Sequence, residues 1–180
     1  MKAFVLATLA AAVTTAPALA APIHIPTSSG EVILPTGREA QSYDRLKYAA
    51  ARRDGDTLYI SGVIVGRAPD EGKDVTAFKD QARRAFGRLQ TILEASGSSF
   101  DDVVMINSFH VWSGPNSDLT RDQQFDAFEA VKDEFMKAPH PAWTAVGTSG
   151  LLSDGGIVEI QMIAHVPHKD AEAPAPDAAH

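Results

Sequence analysis

Hydrophobic residues in the middle of the chain recur every three or four positions, the spacing that places side chains on one face of an α-helix. The first such stretch runs from Val75 to Leu93. Asp74 precedes it as an N-cap and Gly97 follows it as a stop signal, so the pattern predicts an amphipathic helix. Its apolar face consists of Val75, Phe78, Ala82, Phe86, Leu89 and Leu93.

The same spacing returns after Thr120. Thr120 and Gln123 have the separation of a capping box, in which each side chain bonds the backbone N–H of the other residue. Pro139 and Pro141 stop the stretch, because proline cannot continue a helix. This second predicted helix has an apolar stripe of Phe125, Phe128, Val131 and Phe135.

Extended patterns surround both helices. Residues 48–53 and 57–61 flank Asp54-Gly55-Asp56, and an Asp-Gly pair between apolar runs indicates a hairpin. Residues 103–112 predict a long strand, and residues 142–148 and 157–166 predict two more. One face of the long strand is expected to carry Val104, Ile106, Ser108, His110 and Trp112.

The resulting order, β-β-α-β-α-β-β, predicts an α+β domain in which a mixed sheet carries both helices on one face. Apolar residues are available for both faces of the sheet. A second apolar face in so small a domain favours self-association. The alternative is a monomer in which a Pro/Gly/Ser-rich lead over residues 21–39, with a short strand at 32–34, covers that face.

The two ends of the chain differ in composition from the predicted domain at residues 40–167. Lys2 is the only charge in residues 1–20, an apolar run covers 3–13, and Ala18-Leu19-Ala20 resembles a signal-peptidase site, so these residues predict a cleaved signal peptide. The alternatives are an uncleaved anchor and a buried N-terminal helix. Residues 168–180 have the composition of a disordered tail. The mature protein is expected in the periplasm or outside the cell, without a membrane span.

The net charge and the lack of cysteine exclude some partners and some kinds of site. Without residues 1–20 the chain has 15 basic and 23 acidic side chains, a net charge of −8. An acidic protein repels phosphate backbones, so no nucleic-acid partner is expected. The chain has no cysteine, which excludes a thiol nucleophile and cysteine metal sites. His165 and His168 are three positions apart, a spacing that is only weakly typical of metal ligands. Neither a metal nor a cofactor is expected.

Several segments, in this order and spacing, resemble the Rid (reactive intermediate deaminase, or YjgF) family. They are Gly-Asp-Thr-Leu-Tyr-Ile-Ser-Gly at 55–62, Gln-Ala-Arg-Arg-Ala-Phe at 81–86, residues 89–95, Phe-Asp-Asp-Val-Val at 100–104, Pro-Ala at 141–142, Val-Glu-Ile at 158–160 and Ile-Ala at 163–164. The resemblance covers residues 44–166. It implies a chorismate-mutase-like fold, a homotrimer with small-molecule clefts between subunits, no cofactor, and hydrolysis of enamines or imines to a carbonyl and ammonia.

The resemblance also implies a set of site residues. Glu159 would be catalytic, orienting or deprotonating a water that attacks an imine carbon. Strand alternation alone would make Glu159 a surface residue. The other matched positions would bind substrate, although Tyr48 also fits a half-buried strand aromatic and Ser61 a plain strand end. These substrate-binding positions are Tyr48, Ser61, Gly62, Ala142 and Trp143.

Trp143 departs from the family pattern. The family has arginine after Pro-Ala, and that arginine binds the substrate carboxylate through a bidentate pair. An indole has one N–H donor and no charge, so it cannot replace a guanidinium. We therefore expect weak hydrolysis of 2-imino acids and a ligand that is aromatic, apolar or cationic. The alternative is a trimer that binds a small molecule, or acts as a chaperone, without catalysis.

Cleavage after Ala20 makes a direct prediction. Protein recovered from the periplasm or the culture medium should have the intact mass of a chain that begins at Ala21. A full-length chain found in the membrane fraction would contradict the signal-peptide interpretation.

Overall fold

A computed structural model describes residues 21–166, so the predicted signal peptide at 1–20 and the tail at 168–180 lie outside the described residues. Within that range no helix is both long and apolar enough to cross a membrane. The strands are β1 (Ile23–Pro26), β2 (Gly30–Leu34), β3 (Ala51–Asp54), β4 (Thr57–Gly66), β5 (Val103–His110), β6 (Ala142–Gly147) and β7 (Gly156–His165); the helices are α1 (Gly37–Leu46), α2 (Val75–Ala95) and α3 (Arg121–Phe135).

The strands form one seven-stranded mixed sheet in the order β1-β2-β3-β4-β7-β5-β6. All neighbours are antiparallel except β5 and β6, which run parallel. The α+β class, α2 and α3 were predicted from the sequence and are confirmed. Asp74 caps α2, and Thr120 and Gln123 form the expected capping box of α3.

The lead segment is more regular than the sequence suggested. Residues 21–39 hold β1, β2 and the start of α1, and β2 pairs with β3, so the lead extends the sheet at its edge. Thr36 caps α1. Helix α1 is a third helix that was not predicted from the sequence, and none of its residues is fully buried.

The core lies between the sheet and the α2–α3 pair. Phe86 is fully buried and stacks on Phe135 with ring centroids 5.2 Å apart. Phe86 also packs against Phe128, at 5.7 Å. Removal of one such side chain from water contributes about 1.5–3 kcal/mol to folding. Buried strand residues, among them Ile106 and Ile160, form the sheet side of the core.

The predicted buried face of β5 was wrong at Val104, because the strand contains a bulge there. Val103 pairs with Ala164 and Met105 with the adjacent Ile163, so Val104 has no partner of its own on β7. Its side chain is consequently 51% exposed instead of sharing the buried face. After the bulge the predicted alternation holds, with Ile106, Ser108 and His110 buried, and the strand ends before Trp112.

The face of the sheet opposite α2 and α3, which we call the open face, carries apolar side chains. Tyr59 and Met105 both pair with Ile163, which lies between them. Tyr59 is 48% exposed. An exposed row of this kind favours contact with another subunit, and self-association stays a prediction.

Candidate functional site

Glu159 lies on the open face of β7, the strand between β4 and β5. Its strand neighbours Val158 and Ile160 are buried toward the helices. Alternation along the strand therefore turns Glu159 the other way. It pairs with Ile64 on β4 and with Phe109 on β5, and its side chain is half-buried.

A second bulge brings β4 against this carboxylate. Ile60 pairs with Met162 and Val63 with Ile160, so Ser61 and Gly62 together face one residue of β7. A Cβ atom on Gly62 would lie 1.8 Å from Oε1 of Glu159. Glycine is required here because the carboxylate occupies the space that a side chain would need.

The pocket around Glu159, which we call the Glu159 pocket, has a volume of about 360 Å³. Phe109 and Gln161 were not predicted as site residues, although Gln161 stands two positions after Glu159 on the same strand face. The Gln161 side-chain carbonyl accepts a hydrogen bond from Asn107 Nδ2 at 3.2 Å. No described residue that lines the pocket is Lys or Arg. The lining residues are Gly62, Phe109, Thr148, Gly150, Leu151, Leu152, Glu159 and Gln161.

Tyr48 and Ser61 lie in a smaller adjoining pocket of about 70 Å³, which shares Gly62 with the first. The Ser61 hydroxyl donates to the backbone carbonyl of Ala49 at 2.7 Å, which ties the chain entering β3 to the bulge. Arg38 and Arg88 line this pocket together with Glu39. Glu39 lies 3.5 Å from Arg88, so part of the positive charge is offset.

Trp143 lies on the other face of the sheet. It pairs with the buried Ile106, and its ring stacks on Phe125 with centroids 5.2 Å apart and an interplanar angle of 11°. Lys132 places its Nζ 5.3 Å from the ring centroid. Within one protomer the sheet therefore separates the indole from the Glu159 carboxylate. The substrate-binding role of Trp143 stays a prediction.

Ala142 has a different position again. It pairs with Met105 on the open face, whereas the residue of β5 beside Glu159 is Phe109, four positions farther along. The structure thus brings Glu159 and Gly62 together, places Tyr48 and Ser61 next to them, and leaves Ala142 and Trp143 apart.

A buried polar chain fixes the Trp143 ring. Its indole N–H donates to Ser108 Oγ at 2.9 Å, and Ser108 lies 2.9 Å from His110 Nε2. His110 Nδ1 lies 3.2 Å from Gln124 Oε1, while Gln124 Nε2 donates to the Val111 carbonyl. Gln124 Oε1 can only accept, so Nδ1 of His110 carries the proton and its Nε2 accepts from the Ser108 hydroxyl.

Burial lowers the pKa of His110 below its ordinary value of 6.5. The neutral ring suits the polar chain, because a proton on Nε2 would compete with the hydroxyl hydrogen of Ser108. Elsewhere within residues 21–166, no three His, Asp or Glu side chains form a group that could hold a metal ion. His168, one half of the weak metal spacing, lies outside the described residues.

The chain shares its fold with solved structures of known proteins. The chain is similar to a solved structure of protein YjgH, with a TM-score of 0.55 and 37% identity over 71% of this chain and 89% of that one. It is also similar to a crystal structure of RidA from the Antarctic bacterium Psychrobacter, with a TM-score of 0.53 and 28% identity over 66% and 88% of the two chains.

Sequence comparison then gives the family. The model of the family described as Endoribonuclease L-PSP matches residues 40–166, and the chain belongs to this family. The RutC family protein YjgH of Escherichia coli is 36% identical over 138 residues, covering 76% of this chain and 95% of the relative. A protein of Dermatophagoides farinae named 2-iminobutanoate/2-iminopropanoate deaminase is 31% identical over 116 residues, covering 64% and 83%. The predicted Rid (YjgF) membership is confirmed.

The contact between Gly62 and Glu159 predicts an energetic coupling. Gly62→Ala should force the Glu159 side chain out of its position, and this cost should disappear in a Glu159→Ala background. Urea unfolding of the two single variants and the double variant should give a coupling of about 0.5–3 kcal/mol. Gly87→Ala is the control, because a Cβ at Gly87 on α2 meets nothing within 4 Å. Equal costs of Gly62→Ala in both backgrounds would contradict the contact.

The buried His110 predicts a loss of stability in mild acid. Below about pH 6.5 the unfolded chain binds a proton at this residue while the folded protein resists it. The free energy of unfolding is therefore fully retained above pH 6.5 and should fall as the pH drops below it. Denaturant unfolding of the wild type and His110→Gln at pH 7.5 and 5.5 isolates this residue from the other histidines.

The expected outcome is a smaller decrease for His110→Gln than for the wild type. Equal decreases would show that His110 titrates alike in both states. An NMR titration of the His110 ring in the wild-type protein gives the same test without a variant.

Proposed function

We propose that the chain hydrolyses the C=N bond of small imines, or of the enamines in equilibrium with them, and that Glu159 is the catalytic residue. One observation carries the proposal: a half-buried carboxylate held against the Gly62 backbone, at the base of a pocket large enough for a small molecule and a water. Family membership supports the proposal, as does the deaminase name of the D. farinae relative.

The chemistry follows from the position of the carboxylate. Glu159 takes a proton from a water molecule as the water oxygen bonds to the imine carbon. The same proton then passes to the imine nitrogen. Glu159 next takes the hydroxyl proton of the carbinolamine and passes it to the amino nitrogen. The C–N bond breaks as the C=O bond forms, and ammonia and a carbonyl compound leave. The Gln161 side-chain NH₂ group lines the same pocket and can orient the water or the nitrogen.

The lining of the Glu159 pocket favours a substrate without a carboxylate. A substrate carboxylate would lie near the Glu159 charge, and no described lining residue supplies a cation to offset the repulsion. Phe109, Leu151 and Leu152 offer apolar contact instead. The nearest arginines, Arg38 and Arg88, line the adjoining pocket beside Glu39.

We also propose that the protein is a homotrimer and is exported. The Glu159 pocket opens on the apolar open face, and Leu152 at its rim is fully exposed. A second subunit seated there, as the resemblance to the Rid family implies, would cover the rim and exclude bulk solvent while leaving room for the water that Glu159 activates. The predicted signal peptide at residues 1–20 supports a periplasmic or secreted location.

The proposal is tested with an imine that has no carboxylate. A flavin amine oxidase can generate one from phenethylamine in situ. Semicarbazide traps the imine, while excess aldehyde dehydrogenase with NAD⁺ oxidises the aldehyde released by hydrolysis to phenylacetate, which semicarbazide cannot trap. The wild-type protein should reduce the semicarbazone yield. Glu159→Gln should lower the hydrolysis rate by roughly 10²–10⁴-fold, the usual contribution of a general base.

Glu94→Gln is a matched control, since Glu94 lies on α2 and lines neither pocket. It should hydrolyse the imine at the wild-type rate. If Glu159→Gln is folded and equally active, Glu159 is not the base. If the wild type has no activity at all, the non-catalytic binding protein becomes the better interpretation.

A further inference from the structure

A second cavity, larger than the Glu159 pocket, lies at the helix side of the edge strand β6. Its volume is about 400 Å³, and it shares no lining residue with the Glu159 pocket. It runs between the start of α3 and the chain that follows β5. We call it the aromatic cleft; its lining residues are His110, Trp112, Arg121, Asp122, Gln124, Phe125, Asp126, Ala145, Val146 and Gly147.

The walls of the aromatic cleft are two ring systems held in place by their neighbours. A Cβ atom on Gly147 would lie 2.2 and 2.3 Å from two carbons of the Trp112 benzene ring, so this ring occupies the side-chain space of Gly147. Phe125 forms the other wall and is fixed by its stack on Trp143. Ala145, a small residue, also lines the cleft. This arrangement leaves room for a flat ring.

The charges at the cleft are negative on balance. Arg121 and Asp122 form an ion pair with Nε and Oδ1 2.8 Å apart. Asp126, one turn along α3, also lines the cleft and forms no ion pair with a residue between 21 and 166. His110 and Gln124 at the base already bond to Ser108, Val111 and each other. The lining thus combines aromatic faces with one uncompensated carboxylate.

We propose that the aromatic cleft binds a planar aromatic cation, such as a protonated nitrogen heterocycle or an aryl amidinium. The positive ring would lie against Trp112 and Phe125, where a cation–π contact raises affinity by a factor of about 2 to 30. Asp126 would face its charge. An anionic ring of the same shape would be repelled. This site is separate from the proposed imine hydrolysis and does not depend on it.

Binding at the aromatic cleft can be followed through Trp112, because the chain has only two tryptophans, Trp112 and Trp143. Each gives one indole N–H signal in an NMR spectrum of the ¹⁵N-labelled full chain, and Trp112→Leu assigns them. Three probes share one flat ring and differ in charge: benzamidinium, benzamide and benzoate. Titration of each probe follows the Trp112 signal.

The expected order of affinity is benzamidinium over benzamide over benzoate. Asp126→Asn, at an exposed position, should weaken benzamidinium by about 2- to 5-fold, as expected for a rim charge, and leave benzamide unchanged. Phe125→Leu should weaken both benzamidinium and benzamide. Glu159→Gln should bind benzamidinium like the wild type, whether or not imine hydrolysis is observed.

Three results would overturn the proposal. One is the absence of any Trp112 shift with benzamidinium at tens of millimolar. Another is an affinity for benzoate equal to or greater than that for benzamidinium, which would make Arg121 the dominant charge. The third is unchanged benzamidinium binding in both Asp126→Asn and Phe125→Leu.

Discussion

The two-sided character of β7 is the constraint on which the rest of the structure depends. This strand lies between β4 and β5, so each of its residues must satisfy a neighbour on both sides. Val158, Ile160 and Met162 supply the buried face beneath the helices. Glu159 and Gln161 therefore lie on the open face. A shift of one residue in register would bury the carboxylate and expose the core, so the fold itself fixes where the acid stands.

The bulge at Ser61 and Gly62 turns this placement into a pocket. The bulge brings Gly62 next to Glu159, and a glycine there leaves space for the carboxylate that any side chain would occupy. The same bulge holds the chain before β3 through the Ser61 hydroxyl bond to Ala49. On the other face, Trp143 and the Ser108–His110–Gln124 chain join β5, β6 and α3. The two faces thus have different chemistry, one acidic and partly apolar, the other aromatic.

Much of the fold could be predicted from the amino-acid sequence, because the strongest sequence patterns arise where side chains are buried. The stripe of α2 and the capping box of α3 predicted both helices, and the Asp-Gly pair predicted the β3–β4 hairpin. Helix α1 was not predicted, since it buries no residue. The side of the sheet on which Trp143 lies could not be read from β6, an edge strand that buries no residue fully and so has no clear alternation. The β5 bulge at Val104 depends on pairing with β7, which local sequence does not encode.

The Glu159 pocket is proposed to hydrolyse C=N bonds, and none of its described lining residues supplies a cation to bind a substrate carboxylate. The most direct measurement is a competition in which the wild-type protein meets two imines that differ only in that group, one derived from phenethylamine and the other from phenylalanine. Semicarbazide trapping at early times, with aldehyde dehydrogenase and NAD⁺ present to oxidise the released aldehyde, gives the fraction of each imine that escapes hydrolysis. We expect the imine without a carboxylate to be consumed faster. Faster consumption of the 2-imino acid, or no consumption of either compound, would contradict the proposal.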